Sequence, residues 1–181
     1  QMVHLGRGTA KNDEAALAWY QKAAAQDDAR ALFMCGQFYE KGFGVESNAP
    51  LAADFYLRAA RQGYAPAQAC YAICLECGRG VPANPTEAVQ WYTRAARQGD
   101  TQAQFALAVC CEQGTGTPQS LGDAIRWYSM AAAQELPQAL LNLGLCYERG
   151  AGVRRNPEEA LHLYRRAARL GLPAAENRIG A

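Results

Sequence analysis

An alanine pair returns at a fixed interval along this chain. Ala23-Ala24 recurs as Ala59-Ala60, Ala95-Ala96, Ala131-Ala132 and Ala167-Ala168, each step 36 residues long with no insertion. The aromatic pair ahead of it keeps the step as Trp19-Tyr20, Phe55-Tyr56, Trp91-Tyr92 and Trp127-Tyr128, then Leu163-Tyr164. A Gly-x-Gly keeps it too, at Gly6/Gly8, Gly42/Gly44, Gly78/Gly80, Gly114/Gly116 and Gly150/Gly152, and Ala31, Ala67, Ala103, Ala139 and Ala175 complete the frame. A repeat of this length is one supersecondary unit that cannot bury its apolar face alone, so copies must stack in sequence order. The expected organisation is a single repeat domain over 1–181, with a partial repeat at 1–28 and full repeats at 29–64, 65–100, 101–136 and 137–172. A partial repeat or capping helix then occupies 173–181.

Each unit reads as two helices. The first runs from about Ala31 to Lys41, with Ala31, Cys35, Phe38 and Tyr39 at helical spacing, and Gly42 takes the left-handed position that ends it. The second starts at Asn84-Pro85-Thr86-Glu87, where Asn caps, Pro suits the first helical position, and Glu is placed to close a capping box. Asn156-Pro157-Glu158-Glu159 repeats this solution, and Ser120-Leu121-Gly122-Asp123 is a weaker version. Gly63, Gly99 and Gly171 end the second helices, whereas Asp27 and Glu135 hold that position in two copies, which predicts poorer capping there. The small Ala-Ala side chains let the next unit's first helix approach closely. The fold class is therefore all-α, a right-handed α/α superhelical solenoid of 36-residue helix-turn-helix repeats.

Composition closes off several functions. The net charge is +1, so there is no general attraction to nucleic acid or to an anionic membrane surface. No apolar run approaches the roughly 18 residues that a membrane helix needs, which argues against membrane insertion. Arg149, Arg154, Arg155, Arg165, Arg166 and Arg169 crowd the C-terminal end, but Glu148, Glu158 and Glu159 are interspersed, and the reading is a solvated surface.

The pattern Ala-x-x-x-Leu-Gly-x-x-Tyr-x-x-Gly-x-Gly-Val, then Ala-x-x-Trp-Tyr-x-x-Ala-Ala-x-x-Gly, resembles the Sel-one-like repeat, a relative of the tetratricopeptide repeat. Ala139 to Gly171 is the best copy, with Leu143-Gly144, Tyr147, Gly150-Ala151-Gly152-Val153, Ala160, Tyr164 and Ala167-Ala168. The resemblance covers essentially the whole chain. Departures are local: Thr117 replaces the loop Val, and Leu75 and Cys111 replace the first-helix Tyr. It implies a binding scaffold or adaptor with a protein or peptide partner, no cofactor, and no catalytic residue. Some cysteine-rich relatives are linked to β-lactam binding, which makes a β-lactam-binding or hydrolytic enzyme the disfavoured alternative. One arm of a longer scaffold or signalling regulator is another. Exposed repeat ends, as at Gly180-Ala181, would promote self-association.

Seven cysteines cannot all pair within the chain. Cys74, Cys110 and Cys146 fall where Phe38 stands in the first full unit, a core position that suits a small apolar side chain. In the cysteine-rich secreted branch of the family, Cys replaces the second Ala of the pair and bridges the two helices. Every copy here keeps Ala, so a reducing compartment, and hence the cytoplasm, is the simpler inference. Cys70, Cys74 and Cys77 share one helical stripe, but a metal would need a fourth ligand, and Cys77 sits at a helix C-terminus, the wrong end to lower a thiol pKa. The Gly-x-Gly loops read as turns, and His4 and His162 as surface residues, so no metal or catalytic site is expected.

By resemblance to tetratricopeptide-like solenoids, the first helices line a concave groove. The stripe free for a partner comprises Phe33, Gln37 and Lys41, then Ala69, Ile73 and Cys77, then Phe105, Val109 and Gln113, then Leu141, Leu145 and Arg149. Beside it runs a ladder of Glu40, Glu76, Glu112 and Glu148. The apolar residues would anchor an extended peptide or helix, and the Glu ladder with Lys41 and Arg149 would select it. In the bland reading, Phe33, Phe105 and Leu141 merely pack between units.

Overall fold

The computed structural model describes residues 12–179, so His4, Gly6, Gly8, Gly180 and Ala181 lie outside the described residues. Ten α-helices and no strand occur among the described residues: α1 (Asp13–Ala24), α2 (Ala29–Lys41), α3 (Ala49–Arg61), α4 (Ala65–Cys77), α5 (Pro85–Arg97), α6 (Thr101–Gln113), α7 (Leu121–Ala133), α8 (Pro137–Arg149), α9 (Pro157–Arg169) and α10 (Pro173–Ile179). The even-numbered helices are the first helices of the repeats. The chain divides into two compact units, Gln1–Ala95 and Ala96–Ala181. In the first, α1 packs on α2, α2 on α3 and α3 on α4; in the second, α6 packs on α7, α7 on α8, α8 on α9 and α9 on α10.

Local chemistry sets the helix ends. Gly42, Gly78, Gly114 and Gly150 end the first helices with φ of 71, 67, 74 and 73°, a conformation that costs a β-carbon-bearing residue about 1–2 kcal/mol. Each second helix then starts on a side-chain cap: Asn48 accepts from the Leu51 N–H at 3.0 Å, and Ser120 and Asn156 act likewise. The expected capping box at Asn84 closes differently. Glu87 N–H donates to Asn84 Oδ1 at 3.2 Å, but the Asn84 N–H donates to the Leu75 carbonyl at 2.8 Å, so it is already used. The Glu87 carboxylate instead takes the Asn84 side-chain amide and the Trp91 indole N–H. Asp27 and Glu135 also depart from expectation. Their φ angles are 57 and 59°, yet their turns keep the bonds of the glycine copies. Asp27 N–H reaches Ala24 O at 3.0 Å and Glu135 N–H reaches Ala132 O at 3.0 Å, as Gly63 N–H reaches Ala60 O at 3.0 Å.

The core of each unit is built from the repeated small and aromatic residues. Ala59 and Ala60 on α3 are buried, and close contact with α4 lets Gln68 Nε2 donate to the Ala60 carbonyl at 3.1 Å. Gln104 on α6 does the same to the Ala96 carbonyl at 3.2 Å in the second unit. These carbonyls also accept from the Gly63 and Gly99 N–H groups, so each takes a second bond that satisfies a buried side-chain amide. In the full repeats the second residue of the aromatic pair, Tyr56, Tyr92, Tyr128 and Tyr164, is buried, whereas Tyr20 is half-buried. A β-carbon on Gly36 would come within 2.5 Å of the Tyr56 ring, and one on Gly144 within 2.5 Å of Tyr164, which explains why these two helices carry Gly in mid-course.

The Gly-x-Gly loops are more than turns. In three of them the second glycine touches the start of the preceding second helix, so that a β-carbon on Gly44 would lie 2.5 Å from the Glu14 nitrogen and one on Gly152 2.6 Å from Leu121 Cβ. At Gly80 it would collide with the Ala49 carbonyl.

Candidate partner-binding surface

The first-helix stripe is only partly available to a partner. In the first unit Phe33 is half-buried, its ring 5.8 Å from that of Tyr56 and 5.4 Å from that of Tyr64. Ala69 is 7% exposed and belongs to the core. Gln37 and Ile73 are half-buried, whereas Lys41, Glu76 and Cys77 are exposed at the C-terminal ends of α2 and α4. In the second unit Phe105, Val109, Leu141 and Leu145 are half-buried and Gln113 and Arg149 exposed. The Phe105 ring lies 5.8 Å from that of Tyr128, so both phenylalanines pack within their repeats while leaving an edge outside.

The acidic ladder is bound into the fold. Tyr56 Oη donates to Glu40 Oε2 at 2.7 Å, Tyr92 to Glu76 at 2.7 Å, Tyr128 to Glu112 at 2.7 Å and Tyr164 to Glu148 at 2.8 Å. Each pair joins the two helices of one hairpin. Burial, followed by the bond to glutamate, pushes the Tyr56, Tyr128 and Tyr164 phenols far above their ordinary value of 10.0. Glu40 is further engaged by Arg79 at 3.3 Å and Glu148 by Arg178 at 3.7 Å. Glu112 and Glu76 keep one carboxylate oxygen apiece outside the tyrosine bond. Motif spacing places these glutamates at one repeat position, and their tyrosine partners recur 16 residues on at an equally invariant position, which is the signal in the sequence for the pairing.

Small cavities open beside these pairs. One of about 220 Å³ in the first unit is lined by Glu40, Ser47, Tyr56, Cys74 and Arg79. Another of about 180 Å³ in the second unit is lined by Glu112, Asn142, Leu145, Cys146 and Arg149. Asn142 Nδ2 donates to the Tyr128 hydroxyl at 3.1 Å, extending the Tyr128–Glu112 pair.

Most of the cysteines serve packing. Cys35, Cys74, Cys110, Cys111 and Cys146 are buried and Cys70 is half-buried. Burial pushes Cys35 and Cys74 up to about 11 from 9.0 and raises Cys111 and Cys146 as well, which leaves them protonated and poorly nucleophilic at neutral pH. Cys77 and His162 are exposed on separate helices, α4 and α9. The hydroxyls of Ser47 and Ser120 donate to the Glu40 carbonyl and to Asp123. Among the described residues, no three His, Cys, Asp or Glu side chains converge as a metal site would, and no helix is long and apolar enough to cross a membrane.

Paired helices in sequence order, joined by internal Tyr–Glu bonds and carrying a half-exposed apolar stripe, define an α/α repeat protein of the solenoid class, an architecture typical of non-catalytic scaffolds. The chain belongs to the Sel1 repeat family, whose repeat matches residues 1–28, 29–64, 65–100, 101–136 and 137–172. Proteins of this family bind other proteins and in general act as interaction scaffolds. The fold is shared with a Sel1 repeat protein from Oxalobacter formigenes at 35% identity and TM-score 0.92, covering 98% of this chain and 71% of that one. It is shared too with c5321, a protective antigen of uropathogenic Escherichia coli, at 28% identity and TM-score 0.91, covering 98% of this chain and 38% of that one. The cysteine-rich protein B of Helicobacter pylori has a related fold at 23% identity and TM-score 0.56, over 70% of this chain and 90% of that one. No curated protein matches the chain in sequence.

Proposed function

We propose that this protein is an interaction scaffold or adaptor whose first helices take an extended peptide or a partner helix. The supporting observation is the half-exposed row Phe105, Val109, Leu141 and Leu145 in the second unit, four large apolar side chains that the hairpins leave partly open to water. Phe33 and Ile73 supply a shorter version in the first. Such a row is more apolar than solvation alone would favour and suits the apolar face of a partner. Within the second unit Gln113 and Arg149, exposed at the helix ends, and the outer oxygen of Glu112 supply the polar selection; within the first, Lys41 and the outer oxygen of Glu76 do. Affinity capture with mass spectrometry tests this reading. Leu141→Asp combined with Leu145→Asp is expected to deplete the set of proteins recovered while far-UV circular dichroism stays unchanged. An undiminished set on the folded variant would remove the surface from consideration, and Ile73→Asp or Val109→Asp would then locate the contact elsewhere on the stripe.

A further inference from the structure

A further cavity shares no residue with this stripe. It is an open cleft of about 580 Å³ in the second unit, lined by Tyr147, Val153, Arg154, Arg155, Asn156, Pro157 and Glu158. Its volume falls within the range of about 300–1,000 Å³ in which ligands are seated.

What singles out this loop is charge beyond what the fold uses. At the position of Arg155 the other described loops carry Ser47, Ala83 and Gln119, and the Gly6/Gly8 loop, outside the described residues, carries Lys11, so only this loop pairs two cations side by side. Ser47 Oγ donates to the Glu40 carbonyl at 3.2 Å, Gln119 Nε2 to the Glu112 carbonyl at 2.8 Å, and Arg155 Nε to the Glu148 carbonyl at 3.0 Å. A neutral side chain therefore meets the same structural demand. The arginine meets it with one nitrogen and keeps the rest of its guanidinium donors in the cleft. Arg154 stands where Ala10, Glu46, Pro82 and Pro118 stand in the other loops, and it forms no hydrogen bond or ion pair among the described residues. Against these two cations the lining holds a single acid, Glu158, in the first turn of α9. That turn adds the positive end of the helix dipole. Tyr147, Val153 and Pro157 furnish apolar wall between the charges.

We infer that this cleft is a second docking site, which takes an acidic peptide segment carrying aspartate or glutamate beside an apolar residue. Arginine is suited to the task, because its planar fork pairs with carboxylates at two points. The apolar walls and the chain's net charge of only +1 favour a peptide over a nucleic-acid backbone, which would call for a broader basic surface.

Fluorescence anisotropy on the whole chain tests the assignment with three labelled probes: a short peptide of alternating glutamate and valine, its lysine–valine counterpart, and single-stranded oligothymidylate. The glutamate peptide is expected to bind about tenfold or more tightly than either comparison probe, and to weaken with added salt. Arg154→Gln combined with Arg155→Gln is expected to erase that preference at an unchanged melting temperature, since glutamine makes the same carbonyl bond at Gln119. Equal binding of the two peptides, tighter binding of the oligonucleotide, undiminished binding by the double variant, or no binding of any probe would each overturn the proposal. Leu141→Asp with Leu145→Asp is expected to leave glutamate-peptide binding intact, which separates this cleft from the stripe.

Discussion

The hydroxyl of Tyr128 sits at the centre of a network, donating to Glu112 and accepting from Asn142. Tyr128→Phe would keep the buried ring and strand both partners, so the expected cost is about 1–3 kcal/mol in urea denaturation. Glu112→Ala should cost a similar amount, and because the two changes break one interaction, the double variant should lose less than the sum. A strictly additive result would mean that the pair contributes nothing of its own. Asp27 and Glu135 present the opposite balance. Each is held at positive φ, and each carboxylate meets an arginine of the following repeat, Arg58 at 2.8 Å and Arg166 at 2.5 Å. Asp27→Gly should relieve roughly 1 kcal/mol of backbone strain and forfeit an exposed ion pair worth a similar amount or less, leaving stability within about 1 kcal/mol of the parent.

At the scale of the element, loops and seams are constrained differently. Gly63 and Gly80 both have positive φ, but a β-carbon on Gly63 meets nothing within 4 Å, while one on Gly80 runs into the backbone of Ala49 at the start of α3. Gly63→Ala should therefore cost only the conformational term of about 1–2 kcal/mol, and Gly80→Ala clearly more, because the loop must also move off α3. Comparable melting temperatures for the two variants would mean that the loop is not held there. Within the helices, Ala96 is 0% exposed, so Ala96→Leu should overpack its surroundings and cost about 1–3 kcal/mol. Helical capping was readable in advance at Gly42 and Asn84, since both depend on residues a turn away. The Asn84–Glu87 pairing was not, because it hinged on whether the Leu75 carbonyl claimed the Asn84 N–H first.

For the molecule as a whole, buried titratable groups set the response to pH. Cys35 and Cys74 hold their protons up to about 11 against an ordinary 9.0, and burial with the Glu40 bond pushes Tyr56 above 10.0. All three values are raised in the folded state. The associated stability is therefore complete below the unfolded values and drains away as pH climbs past about 9, where the unfolded chain releases protons that the folded chain keeps. Thermal melts should thus be level from neutral pH to about 9 and fall steeply above it, and Tyr56→Phe should flatten part of that fall. A midpoint level throughout this range would contradict the burial of these groups. Helix identity, repeat length, caps and the small-residue seams follow from periodicity, because they rest on contacts within a turn or between equivalent positions one repeat apart. The partnering of Glu40, Glu76, Glu112 and Glu148 with tyrosines, and the surplus of charge at Arg155, came only from the folded hairpin. Spacing specifies which residues share a helix face, but the rotation of two packed helices about their axes decides which polar atoms come within bonding distance and which stay open to a partner.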